Sequence, residues 1–406
     1  MSKLQPDLLT AIDVGSSKTC ALVTEVTDTG LRYLGHATAE SRGMRRGVIV
    51  DLEKAVASVR AAVEDAEEIV GAPVEHAIVG VAGPHIRGVN SRGGISLGSR
   101  AREITRDDIR SAVERARAIA LPGDREVLHL LPQEFILDEQ SGIRDPEGMV
   151  GTRLEVQVHV VTAASTATQN IVTALNRSGI HVENTVLESL AAAEAVLRYD
   201  ERELGVCVAD MGSGSTEVIV YYEGAVAHTF TVPLGGDHFT NDAAVGLRTP
   251  LAEAEKLKRL FGSAVVTRVP EANEIEVPGL GEKPSRLMPQ RFLAEILEPR
   301  ARELFEMMRE GLRHAGVLDL CATGVVLTGG ASRLNHICDT AESVLRRSVR
   351  MGTPSPISKM PEELADPDFA TLVGLAHYGN RSRASRAAQE QGIGAKLKAL
   401  FAGKGV

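Results

Sequence analysis

Two segments of the chain, half a chain length apart, carry the same pattern. IDVGSSKTCALV at 12–23 and ADMGSGSTEVIV at 209–220 each read as an apolar run, a short Gly-Ser turn and a second apolar run. Runs of this kind are typical of paired strands that are buried on both faces of a sheet. A constant offset of 197 residues aligns Asp13 with Asp210, Gly15 with Gly212, Ser16 with Ser213 and Thr19 with Thr216. The sequence therefore predicts two similar α/β halves that face each other.

The residues of these turns suit a bound nucleotide. Glycine lets a hairpin backbone approach a ligand closely, and its N–H groups and the serine hydroxyls can cradle phosphate oxygens. Asp13 and Asp210 directly precede the turns, where a carboxylate can hold Mg²⁺, directly or through water. Any single Gly-Ser turn is as often an ordinary hairpin. Two turns at matched positions, with a third glycine turn at Gly329-Gly330, predict a nucleotide site.

Other sites and partners are disfavoured by the sequence. No Walker A motif is present, GSGSTE lacks the third glycine of a dinucleotide fingerprint, and the histidines show no zinc-binding pair. A net charge of −9 and 3% aromatic residues argue against nucleic acid as a partner. MSKLQPDLL is unlike a secretory signal, and no apolar run reaches 18 residues. Four cysteines without metal or redox spacing fit a reducing cytosol.

The end of the chain, GIGAKLKALFAGKGV, predicts an amphipathic helix. On a helical wheel, Ile393, Leu397, Leu400 and Phe401 share one face, and Lys396 and Lys398 flank it. Six basic residues and one acidic residue follow position 379, so this basic end is attached to an acidic body. Such a segment is mostly unfolded in water and becomes helical on an anionic lipid surface. The alternative is a terminal helix docked on the protein's own body.

Three glycine turns resemble those of the actin-like ATPases. IDVGSSKT and ADMGSGST are similar to the two phosphate loops, and LTGGASRL is similar to the adenosine loop. Within that superfamily, RGMRRGVIVDLEKA, EGMVGTRLEVQVHVV, VPLGGDHFTNDAAVGLRTPLAEAEKLK and the amphipathic end resemble the FtsA family of bacterial division proteins. The resemblance covers nearly the whole chain. It implies an α/β, actin-like (ribonuclease H-like, duplicated) two-lobed ATPase fold with an inserted subdomain and a C-terminal amphipathic helix.

The resemblance, together with the change of composition along the chain, predicts how the chain is divided. The predicted parts are the first lobe over 1–83, an inserted protein-interaction subdomain over 84–163, the first lobe again over 164–204, the second lobe over 205–262, its small FtsZ-facing subdomain over 263–316, the second lobe again over 317–359, a first-lobe helix over 360–379, a polar linker over 380–391 and the membrane-targeting helix over 392–406.

The resemblance also assigns site residues by their match to the family motifs. It implies that ATP and Mg²⁺ are the ligands. The first phosphate loop would be Asp13, Gly15, Ser16, Ser17 and Lys18, and the second Asp210, Gly212, Ser213, Gly214, Ser215 and Thr216. Gly235 and Gly236 would lie near the nucleotide, Glu255 and Lys258 would reach the ribose and base, and Gly329, Gly330 and Ser332 would line the adenine side.

Catalysis is the least specified part of the predicted site. Glu188 matches the position at which actin-like relatives orient water, although a glutamate in a first helical turn is about as often there to favour the helix N-terminus. Asp210 is the second candidate catalytic residue. Members of the family are typically poor ATPases, so ATP is expected to act mainly as a ligand that closes the cleft and permits polymer contacts.

The resemblance implies a role on the cytoplasmic face of the inner membrane at the division septum. The expected partners are FtsZ, further copies of the chain in filaments, later division proteins bound through the inserted subdomain, and anionic lipids bound by the terminal helix. The alternatives are a PilM-like scaffold of pilus assembly, a sugar or acetate kinase of the same superfold, and, less favoured, a chaperone ATPase. A kinase would have no use for a membrane-binding terminus.

Overall fold

The computed structural model describes residues 7–118, 121–281 and 283–385. The predicted amphipathic helix, with Ile393, Lys396, Leu397, Lys398, Leu400 and Phe401, lies outside these residues, and so does the linker from 386 onward. No helix in the described ranges is long and apolar enough to cross a membrane.

The chain opens with a hairpin and a crossover helix. The elements of this part are β1 (Leu8–Val14), β2 (Lys18–Thr27), β3 (Gly30–Glu40), β4 (Met44–Arg45), β5 (Val48–Ile49), α1 (Leu52–Val70) and β6 (His76–Val81). Helix α1 begins after Asp51, whose side chain accepts a hydrogen bond from the Lys54 N–H, and it ends at Gly71 in the left-handed conformation. Both signals are ordinary helix boundaries.

A separate sheet with one helix follows. Its elements are β7 (Arg87–Ser96), β8 (Arg102–Glu103), α2 (Arg106–Arg117), β9 (Arg125–Leu137), β10 (Gln140–Ile143), β11 (Val150–Gly151) and β12 (Arg153–Ala164). The main sheet has the order β10-β9-β12-β7, and α2 packs on it with its own hydrophobic core. Thr105 and Asp108 form the capping box at the start of α2. This part is an insertion between β6 and the rest of the first lobe.

The chain then completes the first lobe and builds a second one. The elements are α3 (Ser165–Arg177), β13 (His181–Leu187), α4 (Glu188–Val196), α5 (Tyr199–Leu204), β14 (Val206–Met211), β15 (Thr216–Tyr222), β16 (Ala225–Val232), α6 (Gly236–Leu247), α7 (Leu251–Phe261), β17 (Glu274–Val277), β18 (Arg286–Pro289), α8 (Gln290–His314), β19 (Val325–Thr328), α9 (Ile337–Leu345) and β20 (Val349–Met351). Residues 370–385 form the last described helix, α10.

The two lobes have the same sheet. The strand orders are β3-β2-β1-β6-β13 and β16-β15-β14-β19-β20. In each sheet the first three strands are antiparallel, and the last two lie parallel to the first strand of the hairpin. The register is equivalent too, since Asp13 lies opposite Cys20 and Asp210 lies opposite Glu217. The duplication predicted from the two turns is therefore confirmed.

The C-terminal segment returns to the first lobe. Two short 3₁₀ turns, Glu362–Ala365 and Pro367–Phe369, lead into α10, whose buried side chains join the core of the first lobe. Residues 380–385, which the sequence places in a polar linker, continue this helix. The reason is electrostatic: Arg381 pairs with Glu194, and Arg383 pairs with Glu183, so polar residues that look unattached in sequence are tied to the first lobe.

The insertion also contacts the second lobe. Its β9 and β12 lie against the edge strand β16. The Gln133 amide donates to the Val226 carbonyl at 2.8 Å, and His159 Nε2 lies 2.9 Å from the Thr229 hydroxyl. The insertion is thus a bridge between the lobes as well as an extension of the first one.

Candidate functional site

The two glycine turns meet between the lobes. The turn between β1 and β2 places Ser16 against the turn between β14 and β15, where Gly214 is buried. A Cβ at Gly214 would lie 3.2 Å from Ser16 Oγ and 2.6 Å from the Cα of Arg46. This approach leaves no room for a side chain, which is the physical reason for glycine at this position.

A third segment closes over both turns. The hairpin of β4 and β5 carries Arg46 and Gly47 at its tip, both in the left-handed conformation. The Gly47 N–H donates to Ser16 Oγ at 2.8 Å, and a Cβ at Gly47 would lie 2.9 Å from the Ala82 carbonyl. Arg46 therefore lies beside Gly214 with its side chain exposed. The sequence analysis, which rested on the two matched turns, did not predict that the tip of the β4–β5 hairpin would contact them.

Asp13 and Asp210 are carboxylates in surroundings that disfavour their charge. Burial and the neighbouring Asp210 raise the pKa of Asp13 to about 7, and Lys18 only partly opposes this effect. Burial raises the pKa of Asp210 to about 6, against a hydrogen bond from Thr371. Asp13 Oδ1 is buried and has no hydrogen-bond partner. A divalent cation next to these oxygens would remove both the repulsion and the unsatisfied acceptor.

The protein alone does not complete a cation site. Within the described ranges, no three His, Cys, Asp or Glu side chains converge closely enough to hold a metal ion. Mg²⁺ usually keeps several waters and shares phosphate oxygens rather than sitting in an all-protein cage. Asp13 and Asp210 therefore fit a Mg²⁺ ion that arrives with a nucleotide, held directly or through water.

The glycine turn after β19 lies beside the same carboxylate. Gly329 has a φ of 80°, and a Cβ there would lie 2.3 Å from Asp210 Oδ1. Its N–H donates to the Pro367 carbonyl at 3.1 Å, which ties the turn to the segment before α10. Thr371, in α10, donates to Asp210 Oδ2 at 2.6 Å. The structure thus places Gly329 beside Asp210 and Gly330 beside Asp368, and the assignment of this turn to the adenine side stays a prediction.

Lys18 crosses from the first phosphate loop to the C-terminal segment. Its ammonium lies 2.7 Å from Asp368 Oδ2 and 3.6 Å from the centre of the Phe369 ring. Both side chains of the ion pair are less than one-third exposed. Lys18 is therefore held near the carboxylates, where it stabilises negative charge at Asp13.

Gly235 and Gly236 lie directly behind the second loop. A Cβ at Gly235 would lie 2.6 Å from the carbonyls of Gly212 and Ser213, and the Gly236 N–H donates to the Gly212 carbonyl at 3.0 Å. Lys258 donates to the Gly236 carbonyl at 3.0 Å and pairs with Glu255 at 2.6 Å. Glu255 and Lys258 are thus connected to the loop through α6 and α7.

Several hydroxyls of the predicted loops are committed to the fold. Thr216 donates to the Leu234 carbonyl at 2.8 Å, and Ser332 donates to the Gly329 carbonyl at 2.6 Å. Both residues are fully buried. Ser17 and Ser213, by contrast, have hydroxyls without a hydrogen-bond partner among the described residues. The Ser16 hydroxyl accepts a hydrogen bond from the Gly47 N–H but donates to no described residue. The hydroxyls of Ser16, Ser17 and Ser213, with the backbone N–H groups of the turns, are therefore the donors that remain available to a phosphate.

Glu188 lies at the first position of α4 and faces the carboxylate pair. Its side chain packs against Gly80, where a Cβ would lie only 3.0 Å from Glu188 Oε1. Burial raises its pKa well above the usual range, and the charges of Asp13 and Asp210 add to the effect. This position is consistent with a group that holds or accepts a proton beside bound phosphate.

Glu217 is a buried carboxylate that the sequence analysis missed. Its Oε1 accepts hydrogen bonds from the Gly83 N–H and the Ser215 hydroxyl, each at 3.1 Å, and its Oε2 accepts one from Thr231 at 2.6 Å. Burial raises its pKa to about 7. Gly83 lies where the insertion begins, so Glu217 connects the second phosphate loop to the insertion.

Asp368 and Thr371 were also not predicted as site residues from the sequence. They belong to DPDFATLVGLAHYG, which predicts a capped helix but gives no sign that its first turn lies between two lobes. For Glu217 a signal was available, because it is an acid at the second position of β15, and a charged residue in a strand buried on both faces needs a partner.

Comparisons with known proteins place this geometry in a family. The family model "SHS2 domain inserted in FTSA" matches residues 83–162, and the model "Cell division protein FtsA" matches residues 207–374. Cell division protein FtsA of Pseudomonas aeruginosa is 41% identical over 373 residues, which cover 92% of this chain and 89% of that protein. This chain belongs to the FtsA family.

Solved structures share the fold at low identity. The PilM–PilN complex of type IV pilus biogenesis matches with a TM-score of 0.66 and 17% identity, over 92% of this chain and 98% of that one. MreB5 of Spiroplasma citri, bound to ADP, matches with a TM-score of 0.58 and 12% identity, over 94% and 98%. The predicted actin-like fold with an inserted subdomain is confirmed. Several of the alternative families considered from the sequence share this fold, and the FtsA relatives show which of them the chain belongs to.

Proposed function

We propose that this FtsA-family protein binds Mg²⁺-ATP between its lobes, assembles into filaments on the inner membrane, and anchors FtsZ polymers there. The observation that carries the nucleotide part is the meeting of two phosphate-loop-like turns around two buried carboxylates, one of which has an unsatisfied oxygen. That arrangement is poorly satisfied by protein atoms alone and suits a magnesium-bound triphosphate.

In this proposal each group has a defined role toward ATP. The N–H groups of the two turns, with the hydroxyls of Ser17 and Ser213, hold the phosphates, and Asp13 and Asp210 orient the cation. When bound, Mg²⁺ neutralises phosphate charge. Lys18 supplies a further positive charge, and Glu255 and Lys258 lie on the side proposed for the ribose and base. Glu188 orients water for slow hydrolysis, so ATP acts chiefly by closing the lobes.

The membrane part of the proposal rests on residues 392–406. Partial burial of Ile393, Leu397, Leu400 and Phe401 in an interface is worth roughly 4–7 kcal/mol. Lysines close to an anionic leaflet contribute about 1 kcal/mol each. Ordering the segment offsets much of this, so one tail is a weak anchor. A filament that presents many tails binds firmly through effective concentration.

The protein partners are proposed from family membership. FtsZ is assigned to the small subdomain over 263–316, and later division proteins to the insertion over 84–163. These contacts place the protein on the cytoplasmic face of the inner membrane at the septum. A filament presents many copies of both surfaces, so the contacts with FtsZ and with later division proteins become multivalent and each single contact can be weak.

Co-sedimentation with FtsZ and anionic vesicles tests this function. The full chain should carry FtsZ to the vesicles, and a chain without residues 392–406 should bind FtsZ and ATP but not vesicles. Leu397→Gln with Leu400→Gln is the matched control, because it keeps length and charge and should fail in the same way. FtsZ recruitment by the truncated chain would contradict the anchor, and unchanged Mg²⁺-ATP affinity in Asp210→Ala would separately contradict the nucleotide site.

A further inference from the structure

The Lys18 ammonium is held by a turn that belongs to the far end of the described chain. It lies 2.7 Å from Asp368 Oδ2 and 3.6 Å from the centre of the Phe369 ring. Phe369 is buried in the core of the first lobe, so the ring face and the carboxylate form a fixed environment for the ammonium. Because Lys18 directly follows the serines of the first glycine turn, this environment lies beside the proposed phosphate site.

The turn that carries Asp368 is tied to the glycine turn after β19. The Pro367 carbonyl accepts a hydrogen bond from the Gly329 N–H at 3.1 Å. The Asp368 N–H donates to Asp366 Oδ1 at 2.9 Å. Asp368 Oδ1 packs against Gly330, where a Cβ would lie only 2.5 Å away. These contacts fix the carboxylate, so a change in the ion pair has to come from Lys18.

Lys18 has the freedom that Asp368 lacks. A lysine ammonium is a compact charge on a flexible stem of four carbons, with three donors. Among the described residues, the Asp368 carboxylate is the one hydrogen-bond acceptor of this ammonium. The lysine side chain is 21% exposed and the aspartate side chain 30%, and a partly exposed single ion pair is exchanged for another anion at little cost.

Asp368 also adds negative charge to the proposed nucleotide site. Burial is the main cause of the raised pKa values of Asp13 and Asp210, and the charge of Asp368 raises both further. The field of Asp368 therefore reaches the two carboxylates proposed for the cation. A phosphate that enters beside them is repelled by Asp368 too. A nucleotide and Asp368 thus oppose each other in charge and in their demand for Lys18.

We propose that Asp368 competes with the phosphates of the bound nucleotide for Lys18, and that this competition lowers the nucleotide affinity of the protein. The inference rests on the proposed nucleotide site and adds Asp368 to it as a positioning residue. Without a nucleotide, Asp368 holds the ammonium. When phosphate binds, Lys18 turns to a phosphate oxygen, and Asp368 stays at the glycine turn without its charged partner.

A shared arrangement is the alternative, because an ammonium has three donors. In that arrangement Lys18 binds a phosphate oxygen and Asp368 at once, and Asp368 helps to place the ammonium. The two arrangements differ in the sign of one measurement. Removal of the carboxylate tightens nucleotide binding if Asp368 competes, and weakens it if Asp368 shares.

Isothermal titration calorimetry of the full chain with Mg²⁺-ATP tests the proposal. Asp368→Asn should raise the affinity by about threefold to fivefold, the ratio expected when a partly exposed ion pair no longer has to be broken. Lys18→Met should lower the affinity. In the Lys18→Met background, Asp368→Asn should give less than about half of its gain, since the ammonium for which the two anions compete is gone.

Two controls separate this effect from a general change of charge. Glu363→Gln removes a negative charge from the preceding turn, where its exposed carboxyl lies 3.7 Å from His36 Nε2, and should leave the affinity unchanged. Adenosine, which has no phosphate, should bind Asp368→Asn as it binds the parent chain. Thermal unfolding of each variant checks that it is folded.

Four results would overturn the proposal while leaving the nucleotide site in place. Unchanged or weaker Mg²⁺-ATP binding by Asp368→Asn would exclude competition. An equal gain in the Lys18→Met background would show that Asp368 acts by its charge alone. A similar gain in Glu363→Gln would indicate an effect of net charge, and a similar gain for adenosine would indicate a change in the turn itself. No binding of Mg²⁺-ATP by the parent chain would instead contradict the proposed function, and this inference with it.

Discussion

The surroundings of Asp13 and Asp210 disfavour the ionised form of both carboxyl groups. Both carboxylates are buried, and burial raises the pKa of each. The charge of Asp210 raises the pKa of Asp13 further, and the charge of Asp368 raises that of Asp210. Asp13 Oδ1 has no hydrogen-bond partner, whereas Asp210 Oδ2 accepts a hydrogen bond from Thr371. Groups with such perturbed pKa values are concentrated at functional sites because the missing stabilisation comes from a ligand. The charge of Lys18 supplies part of this stabilisation at Asp13.

The pKa values of this pair predict how nucleotide affinity varies with pH. Mg²⁺ needs ionised carboxylates, and these two groups hold their protons up to about pH 6 and 7. Affinity for Mg²⁺-ATP should therefore increase as the pH rises through this window and level off above it. Isothermal titration calorimetry across the window measures this.

Matched variants assign the dependence. Asp13→Asn and Asp210→Asn should lower the affinity and flatten its pH profile, whereas Asp107→Asn, on the exposed side of α2, should change neither. A steep profile that persists in both site variants would show that other groups titrate.

At the scale of elements, α10 is held in the first lobe by close backbone packing. Gly374, in α10, packs against α4, and a Cβ at this position would come within 1.8 Å of the Ala191 carbonyl oxygen. The helix and the turn before it place Thr371 against Asp210 and Asp368 against Lys18, so the packing of α10 also sets the geometry of the proposed nucleotide site.

Gly374→Ala should therefore destabilise the protein. The methyl group cannot be accommodated without moving one helix from the other, and overpacking of this kind costs about 1–3 kcal/mol. Gly123→Ala is the control, since a Cβ there meets nothing within 4 Å, and its stability should stay close to that of the parent. Urea unfolding of the two variants measures the difference, and equal midpoints would contradict the packing argument.

The contact between β15 and the insertion gives a second prediction for elements. Glu217 accepts from the Gly83 N–H, so Glu217→Gln, with one weaker acceptor and an unpaired NH₂, should loosen that junction. Hydrogen exchange over residues 82–86 should become faster, while exchange in α2 stays unchanged. Glu40→Gln, which alters an exposed ion pair with Arg42, is the control. Unaltered exchange at the junction in Glu217→Gln would show that the hydrogen bond to the Gly83 N–H does not hold the insertion to β15.

Elements with local signals were predictable from the sequence, and contacts between distant segments were not. The turns around Gly15 and Gly212, the capping box of α2 and the cap of α1 follow from residues close together in the chain. The ion pair of Lys18 with Asp368 joins residues 350 positions apart. Residues 380–385 were assigned to a linker because their partners, Glu183 and Glu194, belong to other elements.

At the scale of the whole molecule, two of the connections between the lobes in the described part of the chain involve the glycine turns or the insertion. One is formed by the phosphate loops with the β4–β5 hairpin, and the other by the insertion on β16. A ligand that draws the loops together therefore acts on both lobes and on the insertion at once. This coupling gives a physical route from nucleotide to the surfaces proposed for assembly.

The proposed link between assembly and membrane attachment can be measured. If one tail is a marginal anchor, flotation with anionic vesicles should rise steeply with protein concentration and should increase with ATP. A chain that carries residues 392–406 twice in tandem should float at concentrations where the single-tailed chain does not, and without ATP. The tandem copy with Leu397→Gln and Leu400→Gln in both tails controls for length and charge. Equal flotation of the one-tailed and two-tailed chains at every concentration would mean that a single tail already binds firmly, and that filaments are not needed to hold the protein on the membrane.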